Sequence, residues 1–306
     1  MRKIGKYILK GLMALLAALP LKVHYALGRF VAWLAGTVFR YRYNDVTVNL
    51  SRSFPELKYK EIAALRKQFY RHFGDIVAEA VWFGGCSEKR LRRQRIVEVV
   101  NPETINRLYE ESPSVVVMYT HCGNWELLGG IASYNYTDTP TYFEESNFCV
   151  VYKKMSSKTW DEIMRDNRFA PLKDRRHFPG YIESNDLARY VFSHREEKKF
   201  YNINTDQSPY FNSRANLDIE FMHQPTKTMT AAAALAKKFG MAVAYQRMMP
   251  DRKGHYTLEY IPICQDASTM SVEDIMKRYY ELLEQDLNAM PANYLWTHRR
   301  WKIKMQ

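Results

Sequence analysis

Cysteine is scarce in this chain. Cys86, Cys122, Cys149 and Cys264 are its four cysteines in 306 residues. They lie far apart, without the close pairs of a zinc site or a disulfide framework. Reduced thiols in a cytosol-facing protein are expected, and no metal site. Acidic residues are also short in number: Lys+Arg 45 against Asp+Glu 33 leave a formal charge of +12. That balance favours nucleic acid, anionic lipid or an acidic carrier protein, without choosing among them. No nucleic-acid module appears and the cations are spread along the chain, so nucleic acid is not expected as a partner. Internal repeats and low-complexity linkers are missing too, and a chain of this length is expected to bury one substantial core. Nor is there an uninterrupted apolar run of the roughly 18–20 residues that a simple spanning helix needs.

The N-terminus carries shorter runs. Arg2, Lys3, Lys6 and Lys10 precede the charge-free stretch Gly11–Leu21, and a second apolar run, Phe30–Phe39, follows Lys22, His24 and Arg29. A signal peptide begins in the same way, but no small-x-small cleavage site follows. Residues 1–40 are therefore expected to form a helical, membrane-anchoring region, interfacial or tilted, with Lys22 and Arg29 snorkelling. An ordinary buried helical hairpin is the alternative. The remainder, residues 41–306, would be a single domain.

Hydrophobic residues make up 46% of the chain and aromatics 14%, with 22 Tyr and 6 Trp, side chains that suit boundaries apolar on one side and wet on the other. In Lys60–Phe83, the residues Ile62, Leu65, Phe69, Phe73, Ile76 and Ala80 recur at helical spacing, and Gly84-Gly85 ends the pattern. Ser114–Tyr119 is a β-branched apolar run suited to a strand buried on both faces. Phe148–Tyr152 and Phe200–Asn204 read as further strands. Thr228–Phe239 reads as a helix capped by Gly240. Met241–Arg247 and Tyr256–Ile261 read as strands around the turn Pro250–Gly254, and Ser271–Met290 as a final helix with Ser271 as N-cap. Alternating strands and helices predict an α/β fold: a mixed, mostly parallel sheet flanked by helices, behind the N-terminal helical region.

Thr120-His121-Cys122-Gly123-Asn124-Trp125-Glu126 follows directly on the buried strand, where ligands gather in open α/β sheets. A His there could serve as a base, its ordinary pKa lying near neutrality. A Glu five residues on could orient it across a strand-to-helix turn, with Gly123 permitting close backbone approach. A surface His and a helix-terminal Glu would show the same spacing.

His121–Glu126 (HCGNWE) resembles the HX4(D/E) motif of the lysophospholipid acyltransferase superfamily, in the wording of its lipid A late (lauroyl/myristoyl) acyltransferase branch. Further blocks follow in that branch's order: Asn49–Glu56, Val151–Lys153, Arg165–Phe169, Thr205–Ser208 and Pro291–Lys302. Cys122 and Phe221-Met222-His223 depart from its pattern. The resemblance implies an inner-membrane enzyme facing the cytoplasm. It would move a fatty acyl chain from acyl carrier protein or coenzyme A to a hydroxyl of a glycolipid. The partners are then a membrane lipid, the carrier protein and the glycolipid acceptor, with no cofactor beyond the donor thioester. An acceptor such as a phosphatidylinositol mannoside or an amino-lipid is the other reading within acyl transfer. By resemblance His121 is the base and Glu126 its partner. Asn124, Trp125, Lys153, Arg165 or Arg168, Asp206 and Gln207 are substrate-binding, the arginines suiting phosphates that guanidinium grips in parallel pairs.

Overall fold

The computed structural model describes residues 2–174, 177–209 and 216–301, with side chains from residue 7. The side chains of Arg2, Lys3 and Lys6, and Lys302 of the C-terminal block, lie outside the described residues. Helices α1 (Arg2–Ala18), α2 (Leu21–Trp33), α3 (Tyr43–Ser53), α4 (Tyr59–Phe83) and α5 (Glu88–Gln94) come first. Then β1 (Val97–Val99), α6 (Pro102–Glu110), β2 (Val115–Tyr119) and β3 (Phe148–Tyr152) lead into α7 (Lys158–Arg168), β4 (Tyr181–Glu183), α8 (Leu187–Ser193) and β5 (Phe200–Asn204). The chain continues through β6 (Asn216–Phe221), β7 (Gln224–Met229), α9 (Ala231–Phe239), β8 (Ala242–Arg252), β9 (His255–Cys264) and α10 (Val272–Ala289).

Seven strands form one sheet in the order β1-β9-β8-β2-β5-β3-β4. All its pairs are parallel except the β8–β9 hairpin, as expected of a mixed, mostly parallel α/β sheet. β2 sits in the middle, and every one of its residues is buried. Alternation divides them between two cores. Val116 and Met118 join Tyr201, Ile203, Tyr245 and the apolar faces of α9 and α10. Val115, Val117 and Tyr119 face the other way, toward Trp82, Phe83 and Leu127.

Most element expectations are close. The helix expected over Lys60–Phe83 is α4, and Ser271 caps α10 by accepting from Asp274 N at 3.0 Å. Two differ. Thr228 and Met229 belong to β7, so the helix begins at Ala231; β-branched Thr226 and Thr228 are buried in the hairpin with β6. β8 runs on through Pro250 to Arg252, tightening the turn to Lys253-Gly254. The departure at Phe221-Met222-His223 falls at the β6–β7 hairpin. Met222 and His223 form its turn with φ of 50° and 59°, values for which glycine is the easier residue.

Among the described residues no single helix is long and apolar enough to cross a membrane; α1 and the segment Leu21–Val38 form a pair bent by 117°. α2 lies directly on α4. A Cβ on Gly74 would stand 2.3 Å from the Gly28 carbonyl oxygen, and one on Gly28 2.5 Å from that of Gly74. Only glycine at both positions lets the backbones approach so closely. α1 is held by Lys10 Nζ, 2.7 Å from Asp166 Oδ2 on α7. Arg90 donates to the carbonyls of Ala17 and Leu19 at the bend. On the outward side Tyr7, Leu15, Phe30, Trp33 and Phe39 remain more than half exposed, a large apolar surface for a protein face in water.

Candidate active site

β2 ends at Tyr119, and the next residues turn across the carboxyl edge of the sheet. Gly123 takes a left-handed φ of 65°, and a Cβ there would meet Met248 Cγ at 2.7 Å, so the turn is closed to any other residue. Its N–H donates to Asn293 Oδ1 at 2.9 Å, tying the loop to the C-terminal segment. Asn124 is wholly buried and caps the 3-10 helix Trp125–Ser133, accepting from Glu126 N at 3.3 Å. Its Nδ2 donates to Glu79 Oε2 at 2.8 Å and Ile76 O at 3.2 Å. With both polar ends engaged inside the protein, Asn124 shapes the loop and does not reach the cavity expected to hold substrate.

His121 does reach it. Its Nδ1 lies 2.8 Å from Asp206 Oδ1, and its backbone N donates to Asp206 Oδ2 at 3.0 Å. Asp206 is 1% exposed. Burial pushes its carboxyl up, but the His121 ring and the two hydrogen bonds from His121 outweigh this and hold it below the ordinary value. An ionised carboxylate only accepts, so Nδ1 carries a ring proton, and in the neutral ring Nε2 holds the lone pair. Gln207 Nε2 stands 3.0 Å from Nε2 and 3.5 Å from Nδ1. Distances so nearly equal place the amide beside the ring, off the lone-pair axis, which leaves Nε2 open. Trp125 packs edge-on against the imidazole, ring centroids 4.7 Å apart.

Glu126 was expected to orient His121, but the carboxylate hydrogen-bonded to Nδ1 belongs to Asp206. Glu126 instead receives two parallel bonds from Arg168: Nε to Oε2 at 2.7 Å and Nη2 to Oε1 at 2.8 Å. Burial raises the Glu126 carboxyl, and the guanidinium more than offsets it, so the group is held below its ordinary value. The same pairing, against burial, raises Arg168. Arg168 Nη1 also reaches Tyr181 OH at 3.4 Å. The reason is the turn itself: the 3-10 helix starts immediately after Asn124 and carries Glu126 toward α7, while the pairing of β5 with β2 brings Asp206 behind the His.

These groups border one cavity of about 320 Å³, within the range of small-ligand sites. His121, Trp125, Glu126, Lys153, Arg168, Asn204 and Gln207 contribute its polar surface; Leu128, Val150, Ile203, Leu187 and Ala232 are among its apolar walls. Arg165 and Arg168, equivalent by sequence, part company here. Arg168 lines the cavity, whereas Arg165 lies 3.4 Å from its neighbour Asp166 and is absent from the lining. Lys153 sits at the rim, 47% exposed and 3.6 Å from Glu183. Asp206 lies behind His121 and not on the wall. Cys122 is buried in the core under α9 and α10, 2% exposed and absent from the cavity lining, with its thiol pushed well up by burial.

Sequence reasoning overlooked Glu79, Asn204 and Asn293. Glu79 is a buried carboxyl on α4 that accepts from Tyr25 OH at 2.7 Å, Asn124 Nδ2 at 2.8 Å and Tyr256 OH at 2.8 Å. A carboxylate at a helix position otherwise filled by core residues is the one signal that could have marked it. Among the described residues no group of His, Cys, Asp and Glu is arranged to hold a metal ion.

The family model for bacterial lipid A biosynthesis acyltransferase matches residues 1–303 of the chain. A lipid A biosynthesis lauroyltransferase of Escherichia coli (strain K12) is 24% identical over 306 aligned residues, spanning 96% of this chain and 90% of that protein.

Proposed function

Because the chain belongs to the bacterial lipid A biosynthesis acyltransferase family, we propose that it esterifies a hydroxyl of a lipid A-type glycolipid precursor with a fatty acyl chain. The donor is the thioester of acyl carrier protein or coenzyme A, and the enzyme works at the cytoplasmic face of the inner membrane. The observation that carries the reading is the state of His121: Nδ1 engaged by a buried, ionised Asp206, and Nε2 open to an apolar-walled cavity.

In this mechanism the acceptor hydroxyl gives its proton to His121 Nε2 while its oxygen attacks the thioester carbonyl carbon. Asp206 holds the tautomer and stabilises the imidazolium that forms. The tetrahedral intermediate collapses to an ester, and the proton on Nε2 passes to the departing thiolate. The apolar walls receive the acyl chain by removing its methylenes from water, about 0.8 kcal/mol each. Arg168, fixed by Glu126, presents a positive edge to an anionic acceptor group. The exposed apolar faces of α1 and α2 enter the lipid, with Lys22 and Arg29 at headgroup level.

Purified full-length protein in mixed micelles, given a lauroyl thioester and a phosphorylated glycolipid acceptor, should form an ester detectable by mass spectrometry. His121→Ala should lose about 10²–10⁴ of turnover. Acyl transfer at the wild-type rate by folded His121→Ala protein contradicts the reading.

A further inference from the structure

Attack on a thioester carbonyl drives an electron pair onto the carbonyl oxygen, and that oxyanion needs a positioned donor. The motif loop does not offer one from its first backbone groups. The N–H of His121 is taken by Asp206, that of Cys122 by Thr120 Oγ1 at 3.1 Å, and that of Gly123 by Asn293. Glu126 N is held by the cap from Asn124. Several side-chain donors on the cavity wall are occupied as well. Trp125 Nε1 donates to Glu126 at 3.2 Å, and the Arg168 fork faces the same carboxylate.

Asn204 differs. It is the last residue of β5, paired in register with Tyr119 at the end of β2, so it stands at the carboxyl edge beside the strand that delivers His121. It lines the cavity, and two residues later the same chain supplies Asp206. Its Nδ2 is buried with no hydrogen-bond partner. An unsatisfied buried donor of this kind destabilises the fold, and such groups in native structures call for an explanation. The terminal amide torsion is broad and roughly two-fold, so the group can turn its N–H toward the cavity at little cost.

We propose that Asn204 is a further catalytic residue, whose side-chain amide donates to the thioester carbonyl oxygen as it becomes an oxyanion. This rests on the acyl-transfer reading of the same site. As the acceptor oxygen bonds to the carbonyl carbon, the π pair moves to oxygen and Asn204 Nδ2–H shares its proton with it. When the pair returns, the C–S bond breaks and its electrons leave with the thiolate, which takes the proton from His121 Nε2. Asn204 gains and loses no proton overall. The ground-state carbonyl is a weaker acceptor than the oxyanion, so the bond strengthens toward the transition state and acts on kcat more than on KM.

Activity and stability should separate at this position. Asn204→Leu and Asn204→Ala remove a donor that the fold does not satisfy, so the melting temperature of at least one should equal or exceed that of the wild type. Turnover should fall about 10²–10³-fold in both, with the KM for a lauroyl thioester changed less than threefold. Turnover within threefold of wild type in either variant overturns the proposal. So does a lower melting temperature in both, which would show that the amide serves the fold. His121→Ala is measured alongside. If it is inactive while Asn204→Leu is active, only the oxyanion assignment fails. If His121→Ala is fully active, the acyl-transfer site itself is misassigned.

Discussion

Replacing Asp206 with Asn tests which carboxylate governs His121. The wild-type carboxylate accepts two hydrogen bonds from one residue, the ring N–H at 2.8 Å and the backbone N–H at 3.0 Å. An Asn side chain has one oxygen for these two donors. If that oxygen keeps the backbone bond, the new NH2 faces Nδ1 and forces the ring proton to Nε2, where the base must be unprotonated. Turnover should then drop about 10²–10⁴-fold, a barrier increase of about 2.7–5.5 kcal/mol. Loss of a buried charge-assisted hydrogen bond should also cost about 1.5–3 kcal/mol of stability. The carboxyl is held below its ordinary value, so its contribution to stability is intact above about pH 4 and is lost as the pH falls further. Rates are best compared at neutral pH and well below the variant's melting temperature. The assay follows thiol release from a lauroyl thioester with glycolipid acceptor, with melting read by near-UV circular dichroism. Glu126→Gln is the control, since it leaves the Asp206–His121 contact in place and loosens Arg168. A folded Asp206→Asn enzyme within threefold of wild type, or one that loses less than Glu126→Gln, would refute the assignment of Asp206 as the orienting group.

Glu79 is pushed up to about 7 by burial, so between its ordinary value near 4.5 and 7 the folded protein binds the extra proton and stability falls as the pH rises. The full effect is about 3 kcal/mol; the melting temperature of Glu79→Gln relative to wild type should therefore climb from pH 5 to pH 8, and parallel curves would remove the linkage. Cys122, buried and absent from the cavity lining, should tolerate Ala with most activity retained. A labelled acyl group that survives denaturation on wild type and is absent from Cys122→Ala would instead establish a covalent route. Arg168→Lys keeps the charge and loses the fork. With an anionic acceptor group bound there, turnover should drop about tenfold or more on phosphorylated acceptor and less on a dephosphorylated one. An equal loss on both would confine Arg168 to bracing Glu126.

What the sequence determined by itself was local. The run at Val115–Tyr119 is apolar at every second and every adjacent position, which forces a strand buried on both faces, and the polar break at Thr120-His121 then has to fall at the sheet's edge. The periodicity of α4 and α10, and the cap at Ser271, are likewise written within a few residues of where they act. The resemblance of HCGNWE and the later blocks pointed to the family that the whole-chain match shows. The partners of the site residues were decided by tertiary structure alone. Asp206 lies 85 residues from His121 and reaches it because β5 pairs with β2 in a register that aligns Asn204 with Tyr119. Nothing within either segment encodes that register. Glu126 is five residues from His121, yet a buried capping Asn and a 3-10 turn send it to Arg168. The distinction between Arg165 and Arg168 follows from the rotation of α7 against that turn. Glu79 finds its donors on α2, β9 and the motif loop only once the Gly28–Gly74 crossing has brought α2 onto α4. Hydrogen bonds depend on angstrom placement of groups from distant segments, and that placement is a property of the packed core, not of neighbouring letters.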